Sequence, residues 1–125
     1  MTKGTNELFN AAKRDGDMTH IMSYVHNGER FEIYKVQAGS WVPAGYYAFN
    51  ARDIKDGVLA KSYNGIGACH SEDLAETLTY LVSACLFRDY RKDGATALEK
   101  FEAAARATTE AIDIVEDLIE EVQRA

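Results

Sequence analysis

Between Thr96 and Gln123, apolar or small side chains recur at spacings that alternate three and four without a break: Leu98, Phe101, Ala105, Thr108, Ile112, Val115, Ile119 and Val122. A strand repeats every second residue, so this period predicts one long helix. A second stripe, Ala104, Ala107, Ala111, Ile114 and Leu118, runs beside the first and makes the apolar surface wider than the single seam of an amphipathic surface helix. The predicted helix extends about 42 Å at 1.5 Å per residue, whereas a compact domain of this chain length is about 36 Å across. One monomer cannot cover both seams along their whole length. The long C-terminal helix is therefore expected to pack on its own domain with one face and on another copy of the chain with the other, as a homo-oligomer.

With 125 residues, 46% of them hydrophobic, the chain fits a single domain, 1–125, burying about two thirds of its unfolded surface. No apolar run approaches the ~18 residues of a membrane span, and the first residues lack the apolar core of a signal peptide. A cytoplasmic location without membrane contact is expected. Cys69 and Cys85 are the only cysteines and form no CxxC, so neither a zinc site nor a disulfide framework is expected. The net charge of −6 is concentrated in residues 95–125, where Lys100, Arg106 and Arg124 face eight carboxylates. Duplex nucleic acid is a poor partner for such a surface, because affinity there comes from neutralising phosphates. A small anionic ligand needs only a local basic pocket.

Thr5 to Gly16 reads as a short capped helix within residues 1–18. The period then becomes extended. His20–His26 and Arg30–Val36 flank Asn27-Gly28, a strong hairpin signal because both positions tolerate positive φ. Tyr46–Asn50 makes a third strand, Asp53–Gly57 a turn, and Val58–Tyr63 a fourth strand, so residues 19–68 form an antiparallel sheet. Ser71 reads as the N-cap of a helix that ends near Phe87, and Arg88–Gly94 reverses the chain into the long helix, capped by Thr96 or Asp93. The fold class is α+β: a small antiparallel sheet of about four strands, then a two-helix hairpin over 71–124.

The most ligand-like cluster is Phe87, Arg88, Tyr90, Arg91 and Lys92, in the connection between the helices. Aromatic rings stack on nucleobases and guanidinium groups clamp phosphate bidentately, a combination suited to nucleotides. The bland reading has these cations complementing a helix C-terminus while the rings close a core. Tyr63 and Asn64, in a glycine-bearing loop before the first long helix, offer a further pocket wall that can read a base or ribose. Arg106 and Thr109 lie on the long helix, where Arg106 has Glu102 and Glu110 four residues away on either side. No nucleophile with a base, no metal cluster and no cofactor motif is assembled by the sequence, so neither catalysis nor a cofactor is expected.

This element order, together with the segment Gly45–Ala68 (GYYAFNARDIKDGVLAKSYNGIGA) followed by a helix, is similar to the phage-encoded Thoeris anti-defence sponge proteins, of the first type described. The resemblance spans residues 20–125. It implies a non-enzymatic oligomer that binds, without degrading, a cyclic ADP-ribose isomer made as a bacterial immune signal, some members also holding cyclic oligonucleotides at a separate interface. A competing reading is a phage inhibitor of the anti-CRISPR type, whose acidic helical surface covers a basic face on a protein target.

Overall fold

The computed structural model describes residues 10, 17–37, 43–55, 58–59 and 69–124. It is an α+β fold, a four-stranded antiparallel sheet followed by two helices. The chain divides into two compact units, Met1–Thr77 and Leu78–Ala125. The expected N-terminal helix lies almost entirely outside the described residues.

In the first unit, β1 (Met18–His26) and β2 (Glu29–Val36) form the expected hairpin. Asn27 at φ 49° and Gly28 at φ 81° carry the positive angles that let a two-residue turn follow the strand twist. One feature escapes the sequence pattern: the register shifts between His20 and Met22, a bulge that changes which side chains of β1 share a face. β3 (Gly45–Asn50) pairs with β2. Met18, Tyr34, Val36, Tyr47 and Phe49 form a buried cluster with Ile54 against it, while Ile33 and Ala48, of opposite strand parity, are also fully buried.

The fourth strand of this sheet is not the expected one. Val58–Leu59 (β5) pairs locally with Ile54–Lys55 (β4), after a single 3-10 turn at Ala51–Asp53. The sheet is instead completed by β6 (Cys69–Ser71), antiparallel to β3. Ser71 is thereby taken into the sheet, and the N-cap moves to Asp73, whose carboxylate accepts from the Ala75 amide at 2.9 Å. The fully buried Thr77 hydroxyl lies within hydrogen-bonding distance of the carbonyls of Tyr46, at 3.3 Å, and Ser71, at 3.4 Å. These contacts tie the start of helix α1 (Leu74–Tyr90) to β3 and β6.

Further along α1, Leu78, Leu81, Val82, Cys85 and Leu86 are all buried, a helical stripe. The helix outruns its expected end near Phe87 and closes at Tyr90, with the Arg91 amide still donating to the Phe87 carbonyl at 2.8 Å. Phe87, Arg88 and Tyr90 are therefore held on a helical turn. After Gly94, at φ 73°, helix α2 runs from Ala97 to Arg124, 28 residues as the heptad stripe demands.

The start of α2 is a reciprocal capping box. The Thr96 hydroxyl accepts from the Glu99 amide at 3.2 Å, and the Glu99 carboxylate accepts from the Thr96 amide at 3.1 Å. The backbone amide and then the hydroxyl of Thr96 hold the Glu99 carboxyl below the usual carboxylate range. The cap is thus complete above that range and is lost as pH falls through the lowered value. Thr96→Ala is expected to lower stability at neutral pH by about 1 kcal/mol, read as a shift in the urea midpoint with an unchanged slope; no shift would show that the cap contributes nothing.

Burial along α2 cuts across the two apolar stripes, since Val115 belongs to the first and Ala107 and Ala111 to the second. Ala107, Ala111 and Val115 are buried, whereas Leu98, Phe101 and Ile112 remain 66%, 70% and 49% exposed. Thr108 and Thr109 turn their hydroxyls back onto the carbonyls of Ala104 and Ala105, each at 2.9 Å. Among the described residues, no helix is long and apolar enough to cross a membrane.

Candidate functional site

The last turn of α1 and the third and fourth turns of α2 bring Tyr90, Arg106 and Glu110 together. The Arg106 guanidinium carbon lies 3.9 Å over the Tyr90 ring centroid, within cation–π range. Arg106 Nε donates to Glu110 at 3.1 Å, and the Tyr90 hydroxyl donates to the other oxygen of the same carboxylate. Glu110 is consequently held below the ordinary carboxylate range, first by Tyr90 and then by Arg106. The same bond raises the Tyr90 phenol. At neutral pH the group is one carboxylate, one guanidinium and one neutral phenol.

Beside this group is a cleft of about 210 Å³. Tyr90 and Arg106 form one wall, Lys92 and Ala95 come from the connection, and Glu99, Glu102 and Ala103 from the first turns of α2. The lining carries two cations and two carboxylates, so any anion held here must sit close to Lys92 and Arg106. The Arg106 side chain is 63% exposed, and only its Nε is hydrogen-bonded among the described residues. Its two terminal amino groups remain available as donors in the fork geometry that matches phosphate.

Of the residues singled out from sequence, Tyr90, Lys92 and Arg106 meet in this cleft. Phe87 and Arg91 form a separate pair, the guanidinium 5.8 Å over the ring. Arg88 is exposed and is not part of the lining. Thr109 spends its hydroxyl on its own helix. Tyr63 and Asn64 lie outside the described residues. Glu99 and Glu102 were not among the sequence candidates; their only sequence signal is the spacing from Thr96 and Arg106.

Two other polar arrangements lie on the sheet unit. Glu32 accepts from Arg30 Nε at 2.6 Å and from the Ser23 hydroxyl at 2.8 Å, with His20 Nε2 at 2.7 Å. Burial pushes its carboxyl up, but the bonds from Arg30 and Ser23 outweigh that and leave it lowered. Here the serine hydroxyl faces the carboxylate, not the imidazole, so the set lacks the serine–base contact of a nucleophile. A hollow of about 570 Å³ follows Lys35–Gln37 and Ala44–Tyr46 to Glu72. It places a lysine 5.9 Å from the Tyr46 ring but has no guanidinium among its described lining. Among the described residues, no three His, Cys, Asp or Glu side chains are grouped to hold a metal.

Compared with protein families, curated proteins and solved structures, the chain matches none.

Proposed function

We propose that the chain is a non-enzymatic binding protein that sequesters a cyclic nucleotide signal, a cyclic ADP-ribose isomer or a cyclic oligonucleotide, acting as a homo-oligomer in the cytoplasm to counter bacterial anti-phage defence. The observation that carries this reading is Arg106: its guanidinium carbon lies 3.9 Å over the Tyr90 ring, its Nε is fixed by Glu110, and its remaining donors open beside Lys92. A guanidinium held that way is pre-oriented for a phosphate oxygen pair. One face of Tyr90 is already taken by it, so a base would stack on the guanidinium and not on that face of the ring. At about 210 Å³ the cleft is smaller than the 300–1,000 Å³ typical of small-molecule sites. It takes one base or one phosphate with its ribose, and the remainder of the ligand lies outside.

Calorimetry with ADP-ribose, its cyclic isomers and cyclic dinucleotides tests this. The parent is expected to bind at least one of them and to release it intact on heating. Arg106→Ala removes a charge-assisted contact worth about 1.5–3 kcal/mol and should weaken binding tenfold or more. Arg88→Ala and Arg91→Ala, outside the cleft, should change it less. Absence of heat with every one of these nucleotides, or recovery of a cleaved product from hydrolase-free protein, overturns the reading.

The exposed Leu98, Phe101 and Ile112, beside the carboxylates of α2, support a second reading, an inhibitor that covers a protein target through its acidic helical surface. A chain whose mass in solution is that of a monomer and that binds none of the nucleotides would favour it.

A further inference from the structure

We infer that Glu102 reads the sugar of the ligand: its carboxylate accepts from a ribose hydroxyl while Lys92 and Arg106 hold the adjoining phosphate, so the cleft selects a ribose phosphate over a deoxyribose phosphate and over a bare anion. This rests on the nucleotide reading above and names the part of the nucleotide that enters.

The charges of the cleft call for such a donor. Glu99, Glu102, Ala103 and Arg106 line it from α2, at the spacing that sets residues on one helical face. Three of the charges are already engaged. Arg106 is paired with Glu110. The backbone amide and then the hydroxyl of Thr96, with the charge of Lys92 behind them, hold the Glu99 carboxyl down. That leaves Glu102, which is exposed and, among the described residues, has no hydrogen-bond or ion-pair partner.

Counted with Glu110, the cleft sets two cations, Lys92 and Arg106, against three carboxylates, a net charge of −1. A bare anion entering it meets the uncompensated carboxylate of Glu102 and is repelled. A ligand that carries hydroxyl donors beside its phosphate satisfies both signs at once, because an ionised carboxylate is acceptor-only. Glu102 stands four residues before Arg106, about 6 Å along the helix axis. One sugar spans that separation between its phosphate and its ring hydroxyls, and a cleft of about 210 Å³ has room for such a unit. The exocyclic amine of a base is the other donor that a nucleotide carries. Amines differ from base to base, whereas the sugar is common to all, so ligand pairs that share a base and differ in the sugar separate the two.

Calorimetry with matched pairs tests this: ADP-ribose against its 2′-deoxy analogue, and cyclic di-AMP against cyclic di-dAMP, with inorganic pyrophosphate as the sugarless anion. The parent is expected to bind the ribose member of whichever pair it takes about tenfold tighter than the deoxy member. Glu102→Ala, at an exposed helical position where alanine is well tolerated, should erase that difference. The same variant should bind pyrophosphate about threefold tighter than the parent, since a like charge about 6 Å away has been removed. Glu102→Gln keeps an acceptor without the charge and should retain part of the ribose preference while showing the same gain for pyrophosphate. A parent that binds ADP-ribose or cyclic di-AMP without distinguishing it from the deoxy analogue, or a Glu102→Ala variant that keeps the full preference, overturns the role of Glu102 and leaves the nucleotide reading standing. So does a Glu102→Ala variant weakened for pyrophosphate as well as for the ribose ligand, because removing a repelling carboxylate cannot do that. Absence of heat with every nucleotide overturns both.

Discussion

Val115→Lys is expected to unfold α2, whereas Phe101→Lys is expected to leave the helix intact and, under the proposed self-association, only to separate the copies. Both positions belong to one heptad stripe in the sequence. Val115 is 4% exposed within its own chain, while Phe101 is 70% exposed. A lysine replacing Val115 loses the valine's burial and places an unpaired ammonium in an apolar site, for a combined cost of about 3–5 kcal/mol. That is a large part of the 5–15 kcal/mol that holds an ordinary domain together. At Phe101 the ammonium reaches water and the helix keeps its own contacts. Circular dichroism and light scattering at matched protein concentration separate the two: helicity lost at 37 °C for Val115→Lys, helicity kept but mass lowered for Phe101→Lys. If Phe101→Lys melts the helix as well, the stripe is covered within the monomer. If Val115→Lys leaves both readings unchanged, the assignment of the buried face is wrong.

The difference between these two positions marks where sequence reasoning ends. A period of three and four is a local property, so the extent of α2 and the presence of two seams are legible in residues 96–123. Which residues are covered depends on what approaches the helix. Ala107, Ala111 and Val115 are buried because small side chains admit a close neighbour, and the bulkier Leu98 and Phe101 are left outside. The hairpin is legible for a similar local reason, since Asn27-Gly28 is one of few pairs comfortable at positive φ. The three-residue β6 is not legible, because it is fixed by β3, distant in sequence, and the register shift after His20 carries no turn or spacing signal of its own. At the site, the Arg106–Glu110 pair follows from i,i+4 spacing. The approach of Tyr90 does not, because the connection between the helices separates it from α2 and no local spacing sets where it arrives.

Gly45→Ala should lower stability by about 2–4 kcal/mol, the largest expected effect of any single methyl group added to the sheet. Gly45 enters β3 at φ +146°, a region that L side chains rarely adopt, and an added Cβ would lie 2.7 Å from the Ser71 carbonyl oxygen and 3.0 Å from His70 Nε2. Both neighbours belong to β6, the strand that closes the sheet against β3. The ring of His70 is held in place by stacking on Tyr47 at 4.3 Å, and the Tyr47 hydroxyl donates to the Pro43 carbonyl at 2.5 Å, so a clash here reaches the segment before β3 as well. A second substitution separates backbone from side-chain causes. Adding His70→Ala to Gly45→Ala frees the imidazole contact but leaves the carbonyl of Ser71 and the positive φ untouched, so the double variant should recover little beyond what His70→Ala alone costs. Urea denaturation of the four proteins at one concentration completes the cycle. If Gly45→Ala stays within about 0.5 kcal/mol of the parent, β3 and β6 do not approach as closely as described. Full recovery in the double variant would instead assign the strain to the imidazole, and the pairing of β6 would then tolerate a side chain at position 45.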